Sequence, residues 1–257
     1  SMKNISGYIQ DPLQIAQLLI DGSVKWLTNN LSSQEIIKGQ AIRALETAED
    51  LVIVGTNKGL YVSEIDANGQ LKTIKAAYLA KTYGELRISS ITIGASGRIY
   101  AAAENGAVFT TTTSELKANP ESIWKIVDGS VERSAGKLLK LSTSTDPNTG
   151  NDILYMGTAR IDQETGHTDG GYHSIHRVIY TSETMLAWAD KIVAGNIGSS
   201  VYGGLHMSFA ADPTDHNRVF AGANYLQSPG LGDGVGGGLV SIIFDGMDAR
   251  LEGHYGS

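Results

Sequence analysis

The chain has 257 residues, and its 27 acidic and 20 basic side chains give a formal net charge of −7. This acidic excess is opposite in sign to the positive footprint of nucleic-acid-binding proteins, so we expect no nucleic-acid partner. The absence of cysteine excludes a disulfide scaffold, thiolate metal sites and cysteine nucleophiles. No apolar run approaches the roughly 18 residues of a membrane-spanning helix, so no membrane span is expected.

Glycine is abundant, with 31 residues against only 5 prolines, which favours many short strands joined by tight turns. The first such pattern lies near the N-terminus, where the apolar segment 15–20 is followed by Asp21 and Gly22 and then by 24–27 with Trp26. This pattern predicts a hairpin, although a short helix over 15–20 also fits the residues.

Four segments downstream repeat one pattern, in which an apolar strand ends in a small marker residue and a second strand follows. The markers are Gly55, Ala102, Gly157 and Gly222, with partner strands at 59–63, 106–109, 178–182 and 238–241. Another apolar stretch precedes each marker strand, at 42–45, 88–93, 138–141 and 205–209. A repeated four-stranded unit of roughly 50 residues is typical of a β-propeller blade.

The three tryptophans support the same phase, because Trp26, Trp124 and Trp188 all fall in the fourth strand of a unit. A β-sandwich also has alternating strands, but it gives no reason for small residues and tryptophans to recur at a fixed phase. We therefore predict an all-β fold, a single β-propeller domain over residues 1–257 with four-stranded antiparallel blades. The units cover about 39–80, 86–128, 136–193 and 203–252, with a closing blade from 7–28, which makes five blades or a fragment of a larger ring.

Two segments carry a family resemblance, ADPTDHNRVFAG at 211–222 and STDPNTGNDILYMGT at 144–158. They resemble the repeats of bacterial-neuraminidase-repeat propellers, a group that includes xyloglucanase-type glycoside hydrolases, sortilin-like receptors and photosystem II assembly factors. The segments SEIDANG at 63–69 and DGSVKW at 21–26 are similar to incomplete copies of the Asp-box hairpin of that group. The resemblance implies a propeller architecture in which Asp66 and Gly69 cap a hairpin turn, and it implies no particular activity.

The connections between the second and third strands of each unit differ in length, and this difference indicates a site. They are tight turns after Gly55 and Ala102, but they become the long segments 160–176 and 224–237 after Gly157 and Gly222. In a propeller these connections share one face with the loops that enter the next blade, here including 195–204. Long loops on a rigid scaffold commonly carry function, so we predict a ligand-binding patch there.

The candidate binding residues of this patch are polar, charged and aromatic. They are Arg160, Asp162, His167, Asp169, Tyr172, His173, His176, Tyr202, Asn224, Tyr225 and Asp233. The tyrosines would stack on sugar faces while the amides and carboxylates bind hydroxyl groups. We therefore predict a binding module for a carbohydrate or a protein surface, without a cofactor.

Two enzymatic or metal-based alternatives stay open. His173 and His176 with His167 and Asp169 could hold a metal, but their spacing matches no recognised zinc signature, so no metal is expected. A glycoside hydrolase or lyase acting on a polysaccharide needs two facing carboxylates, for which Asp162, Glu164, Asp169 and Asp233 are the candidates. The sequence identifies no compartment, with an extracellular or cell-surface location as the favoured one.

Overall fold

The computed structural model describes residues 16–18, 24–26, 35–37, 39–69, 71–79, 86–119, 121–133, 139–161, 168–181, 184–192, 208–223, 238–246 and 248–256. Most of these residues lie in β-sheets, in which each strand pairs antiparallel with its neighbour along the chain, apart from one short strand added to the second sheet. Four such sheets, packed side by side through their inner strands, make the chain a β-propeller. The predicted all-β propeller fold is thereby confirmed, and the number of blades stays a prediction.

The N-terminal hairpin consists of β1 (Ala16–Leu18) and β2 (Val24–Trp26), paired antiparallel with Ala16 opposite Trp26. The strand interpretation of this segment is therefore confirmed over the helical one for residues 16–18. A short 3-10 turn at Glu35–Ile37 leads into the first sheet.

The first sheet contains β3 (Ile42–Ala48), β4 (Leu51–Thr56), β5 (Leu60–Glu64) and β6 (Lys75–Ala76). Every residue of β4 is buried, because this strand is covered on both faces. Its marker Gly55 lies against the inner strand of the next sheet, where a Cβ atom would meet the side chain of Ile88 at 2.6 Å. The small marker residue therefore lets two sheets approach closely.

The Asp-box-like hairpin of the first sheet has the hydrogen bonds expected from its sequence. Asp66 Oδ1 accepts from the Asn68 N–H at 2.9 Å, and Gly69 adopts a left-handed φ of 74°. Ser63 Oγ donates to the Lys72 carbonyl at 2.8 Å, which fixes the two arms of the turn. The Asp and Gly positions thus have a local structural role, as the resemblance implies.

The second sheet contains β8 (Ile88–Ile93), β9 (Arg98–Ala103), β10 (Val108–Thr112) and β11 (Ile123–Ile126). A fifth strand, β7 (Tyr78–Leu79), comes from the segment after the first sheet and pairs parallel with β11. Helix α1 (Thr113–Ala118) joins β10 to β11, and α2 (Ser130–Arg133) follows β11. Among the helices in the described ranges, none is long and apolar enough to cross a membrane.

The third sheet contains β12 (Leu139–Thr145), β13 (Asp152–Ile161), β14 (Thr168–Thr181) and β15 (Thr184–Ile192). The fourth contains β16 (Ser208–Ala211), β17 (Arg218–Ala223), β18 (Gly238–Asp245) and β19 (Asp248–Gly256). The core lies between the sheets: Tyr155 of β13 and Phe244 of β18 pack with ring centroids 5.5 Å apart. Trp124 is fully buried between the first and second sheets.

Candidate binding face

The inner strands β3, β8, β12 and β16 begin at one end of the molecule, which we call the entry face. Polar contacts between them show a common direction: the Leu141 N–H donates to Ser90 Oγ at 3.1 Å, and Thr143 Oγ1 donates to the Ile93 carbonyl at 3.0 Å. Because neighbouring strands within each sheet are antiparallel, the connections from second to third strands also emerge at the entry face.

The longest described feature of the entry face is the hairpin of β13 and β14. The sequence predicted a loop over 160–176, but β13 continues to Ile161 and β14 begins at Thr168, with Ile161 opposite Thr168. Gly157, expected at the end of its strand, therefore lies within β13. The loop prediction is wrong because a hairpin satisfies its backbone hydrogen bonds internally, so it needs no apolar alternation in its sequence.

The eleven predicted site residues are distributed as follows. Arg160 lies in β13, and Asp169, Tyr172, His173 and His176 lie in β14, whereas Asp162, His167, Tyr202, Asn224, Tyr225 and Asp233 lie outside the described residues. The strand positions bring Tyr172 opposite Ala159 in the hairpin. The binding roles of these residues stay predictions.

His176 is buried at the base of the hairpin rather than lying on a surface loop. Its Nε2 lies 2.7 Å from Ser174 Oγ, which in turn lies 2.6 Å from Thr158 Oγ1. The three side chains are at most 4% exposed. This row of hydrogen bonds holds β13 and β14 together where they leave the sheet, so the expected loop position of His176 is wrong.

Charged side chains gather at the entry face in a set that we call the entry cluster, composed of Arg43, Arg87, Glu104 and Lys140. Glu104 follows the second strand of the second sheet, with its Oε1 2.7 Å from Arg43 Nη2 and its Oε2 3.8 Å from Arg87 Nη1. Arg43 is the extra residue of a β-bulge, since Ile42 faces Thr56 and Ala44 already faces Gly55. Bulges redirect side chains, and this one brings Arg43 of the first sheet to Glu104 of the second.

Lys140 occupies the inner-strand position that faces the marker residue. The equivalent residues of the other three sheets are small: Ala44 faces Gly55, Ser90 faces Ala102 and Ser208 faces Gly222, while Lys140 faces Gly157. Lys140 is half-buried, and its side chain has no hydrogen bond or ion pair with any residue that the structure describes. Burial lowers the pKa of its ammonium group, and the positive charge of nearby Arg43 lowers that pKa further.

Sequence reasoning missed the entry cluster. Its members come from three sheets, and no motif joins them. The one available signal was a lysine at a position where the other units have alanine or serine, directly opposite a marker glycine.

Metal and hydrolytic chemistry have few candidates in this region. Within the described ranges, no group of three or more histidine, aspartate and glutamate side chains could hold a metal ion. Glu104, the one acidic side chain of the entry cluster, is paired with arginine, so it is not one of two free, facing carboxylates.

A cavity of about 290 Å³ opens at the outer edge of the first sheet, at the other end of β5 from the entry face. It is lined by Val62, Ser63, Glu64, Lys72, Thr73 and Lys75. Glu64 and Lys72 form an ion pair within it, so these two charges satisfy each other.

Comparison with known proteins returns similarity to solved propellers alone. No protein-family model matches the chain, and no curated protein matches it. The Dos1 propeller is 12% identical with a TM-score of 0.48, over 94% of this chain and 50% of that chain. The N-terminal domain of Nup159 is 10% identical, with a TM-score of 0.41 over 82% of this chain and 47% of that chain.

A mutant of the NanB sialidase from Streptococcus pneumoniae is 12% identical, with a TM-score of 0.45 over 95% of this chain and 35% of that chain. The chain spans about half the length of the first solved propellers that it matches. Similarity at this level shows the fold alone and assigns no activity.

Proposed function

We propose that the chain is a binding module whose ligand rests on the entry face against the β13–β14 hairpin. The observation that carries this proposal is the asymmetry of that face. The first and second sheets close their second-to-third connections with tight turns, whereas the third sheet continues both strands as a ten-residue and a fourteen-residue strand. The hairpin would border the entry cluster on one side, and elements that project from a rigid scaffold commonly bind ligands.

The ligand class that we propose is a carbohydrate. Arg160, Asp169, Tyr172 and His173 all lie on the hairpin strands, which supplies an aromatic residue together with hydrogen-bonding residues. Sugars are bound by this combination, with an aromatic ring against the apolar face of the pyranose and polar groups at its hydroxyls. Tyr202, Asn224, Tyr225 and Asp233 would extend the same surface from neighbouring connections.

The test is a shortened hairpin that keeps its buried base. Replacing residues 160–172 with a four-residue turn spares Thr158, Ser174 and His176, whose hydrogen bonds hold the sheet, so the protein should still fold. We expect binding on a glycan array to fall at least about tenfold, because the removed segment would contribute several contacts. The melting temperature, measured alongside, should change by only a few degrees.

The matched control changes a turn at the opposite end of the same sheet. Replacing Asn148 and Thr149 with glycines, in the turn capped by Asp146, should leave glycan binding unaltered. Equal losses in both variants, or no loss in the shortened one, would remove the case for the hairpin. Binding to a protein partner without any glycan binding would reassign the ligand class, and release of reducing sugar would indicate a hydrolase.

A further inference from the structure

We propose that the entry cluster, centred on Lys140, binds the carboxylate of an acidic sugar, so that the carbohydrate is a uronic-acid polysaccharide. This inference rests on the proposed function, since it names the class of glycan that the entry face would take. Three features of the cluster support it: the position of Lys140, the charges around that residue and the hydrogen-bond donors left unused.

The position of Lys140 has no structural need for a lysine, since Ala44, Ser90 and Ser208 occupy the same place in the other three sheets. A half-buried ammonium group without a counter-ion is unfavourable, because burial removes part of its hydration. A partly exposed cation with no counter-ion among the described residues is suited to a ligand that supplies the missing negative charge.

The charge balance of the cluster supports an anionic ligand. Among the described residues, Arg43 and Arg87 share the carboxylate of Glu104, and Lys140 adds a third positive charge close enough to Arg43 to feel its field. Glu104 forms ion pairs with the two arginines, so the ammonium group of Lys140 has no counter-ion among the described residues. The overall charge of the protein is −7, so this local positive excess is opposite to the charge of the chain as a whole.

The donors of the cluster suit a carboxylate. Lys140 offers three N–H donors, all of them free among the described residues, and Arg43 uses part of its guanidinium for Glu104. The ion pair with Glu104 holds Arg43 in place, and Arg43 is near enough to Lys140 to affect its pKa. An anion bound by Lys140 would therefore also be attracted by an arginine whose position is already fixed.

The experiment uses one polymer in two charge states. Binding of polygalacturonate and of its fully methyl-esterified form is measured for the wild type, Lys140→Gln, Lys140→Arg and Lys125→Gln. Lys125 is an exposed lysine on the outer strand β11, so Lys125→Gln removes the same charge away from the entry face. The melting temperature of each variant confirms its folding.

The expected result is a preference of the wild type for the acidic polymer that disappears in Lys140→Gln. We expect polygalacturonate binding to fall about tenfold in Lys140→Gln, because charge-assisted hydrogen bonds are roughly twice as strong as neutral ones. Lys140→Arg should retain most of the binding, and Lys125→Gln should change it less than twofold. Raising the salt concentration should weaken wild-type binding more than that of Lys140→Gln.

Three results would overturn the inference. Equal binding of both polymers by the wild type, or an equal loss in Lys140→Gln and Lys125→Gln, would show that Lys140 recognises no carboxylate while glycan binding itself stands. Binding of poly-glutamate in preference to both polymers would assign the cluster to an acidic protein segment. Absence of binding to every glycan, with all variants folded, would instead contradict the proposed function.

Discussion

The guanidinium of Arg177 in β14 donates to Asn217 Oδ1 over 2.7 Å, reaching from the third sheet to the fourth. A second donor of the same group meets the Gly246 carbonyl at 2.6 Å, and the guanidinium carbon lies 5.1 Å from the centre of the Phe244 ring. Arg177 is 6% exposed, so these contacts replace most of its hydration. The third and fourth sheets are thus joined by a cation that sits among an amide, a carbonyl and an aromatic ring.

Arg177→Met should destabilise the protein by about 2–4 kcal/mol, because it removes two hydrogen bonds that a buried cation donates to Asn217 Oδ1 and to the Gly246 carbonyl. Arg177→Lys should recover only part of this loss, since one ammonium cannot reach both acceptors as the planar guanidinium does. Urea denaturation provides the free energies of unfolding. The exposed Arg250 of β19 serves as control, and a similar loss in Arg250→Met would contradict the argument.

Trp124→Ala should cost about 3–5 kcal/mol, as large-to-small changes in a core do. Trp124 is fully buried between the first and second sheets, whereas the adjacent Ile123 is 60% exposed, so Ile123→Ala should cost far less. The buried Trp124 Nε1 has no hydrogen-bond partner among the residues that the structure describes. Trp124→Phe should therefore cost less than its loss of volume suggests, because it also removes an unsatisfied donor. Thermal melts of the three variants test this order.

Gly94 and Asp152 should show coupled energetics across the boundary between the second and third sheets. A Cβ atom at Gly94 would collide with the Asp152 carboxylate, which accepts from the Ser96 N–H at 3.1 Å and is 2% exposed. Gly94→Ala and Asp152→Ala should each cost about 1–3 kcal/mol. The double variant should cost about 1 kcal/mol less than the sum, since the missing carboxylate leaves room for the added methyl group. Strict additivity in a double-mutant cycle would contradict this contact.

Lys140→Met should raise the free energy of unfolding at neutral pH, because it removes a half-buried charge that has no counter-ion among the described residues. Burial and then Arg43 lower the pKa of Lys140 below its ordinary 10.5, so the unfolded chain binds the proton more tightly than the folded one. Stability of the wild type should therefore rise with pH from the folded pKa up to about 10.5, as the penalty for the charge disappears. The advantage of Lys140→Met should shrink over the same interval.

Melting curves between pH 7 and pH 10.5 measure this difference, with the exposed Lys125→Met as control. If Lys140 had a structural role, the methionine variant would instead be less stable at every pH. The stability of Lys140→Met thus shows whether Lys140 contributes to folding or only to binding.

Much of the fold could be predicted, because strands that pack between sheets must be apolar and small residues must stand where sheets meet. The first-strand pattern at 88–93 coincides with β8, and Gly55 and Gly222 each precede the final residue of their strands. Helix α1 was not predicted, although Thr112 and Glu115 form a capping box at its start. Its six residues are too few for a helical repeat to show in the pattern of apolar residues.

The candidate site was only partly predictable. The sequence predicts a loop at the connection where the structure has the β13–β14 hairpin. Polar and glycine-rich residues such as Gly170 and Gly171 are also typical of loops, and a hairpin outside the packed core needs no apolar residues to reveal it. The entry cluster could not be found, because the proximity of Arg43, Glu104 and Lys140 arises only when three sheets are assembled around one axis. Lys140, at a position where the other units have alanine or serine, is the one signal in the sequence, and it does not identify Arg43 or Glu104 as its neighbours.

Strand β7 has a consequence for the behaviour of the protein in concentrated solution. By pairing with Ile123 and Trp124, Tyr78 and Leu79 occupy the outer ladder of the second sheet, and the outer strand of the first sheet is only two residues long. Unpaired outer ladders are where extended chains join one another into aggregates. Strand β7, in the segment that connects the first sheet to the second, therefore also limits self-association of the protein. Substitutions that weaken the pairing of β7 with β11 should lower the solubility of the protein before they lower its free energy of unfolding.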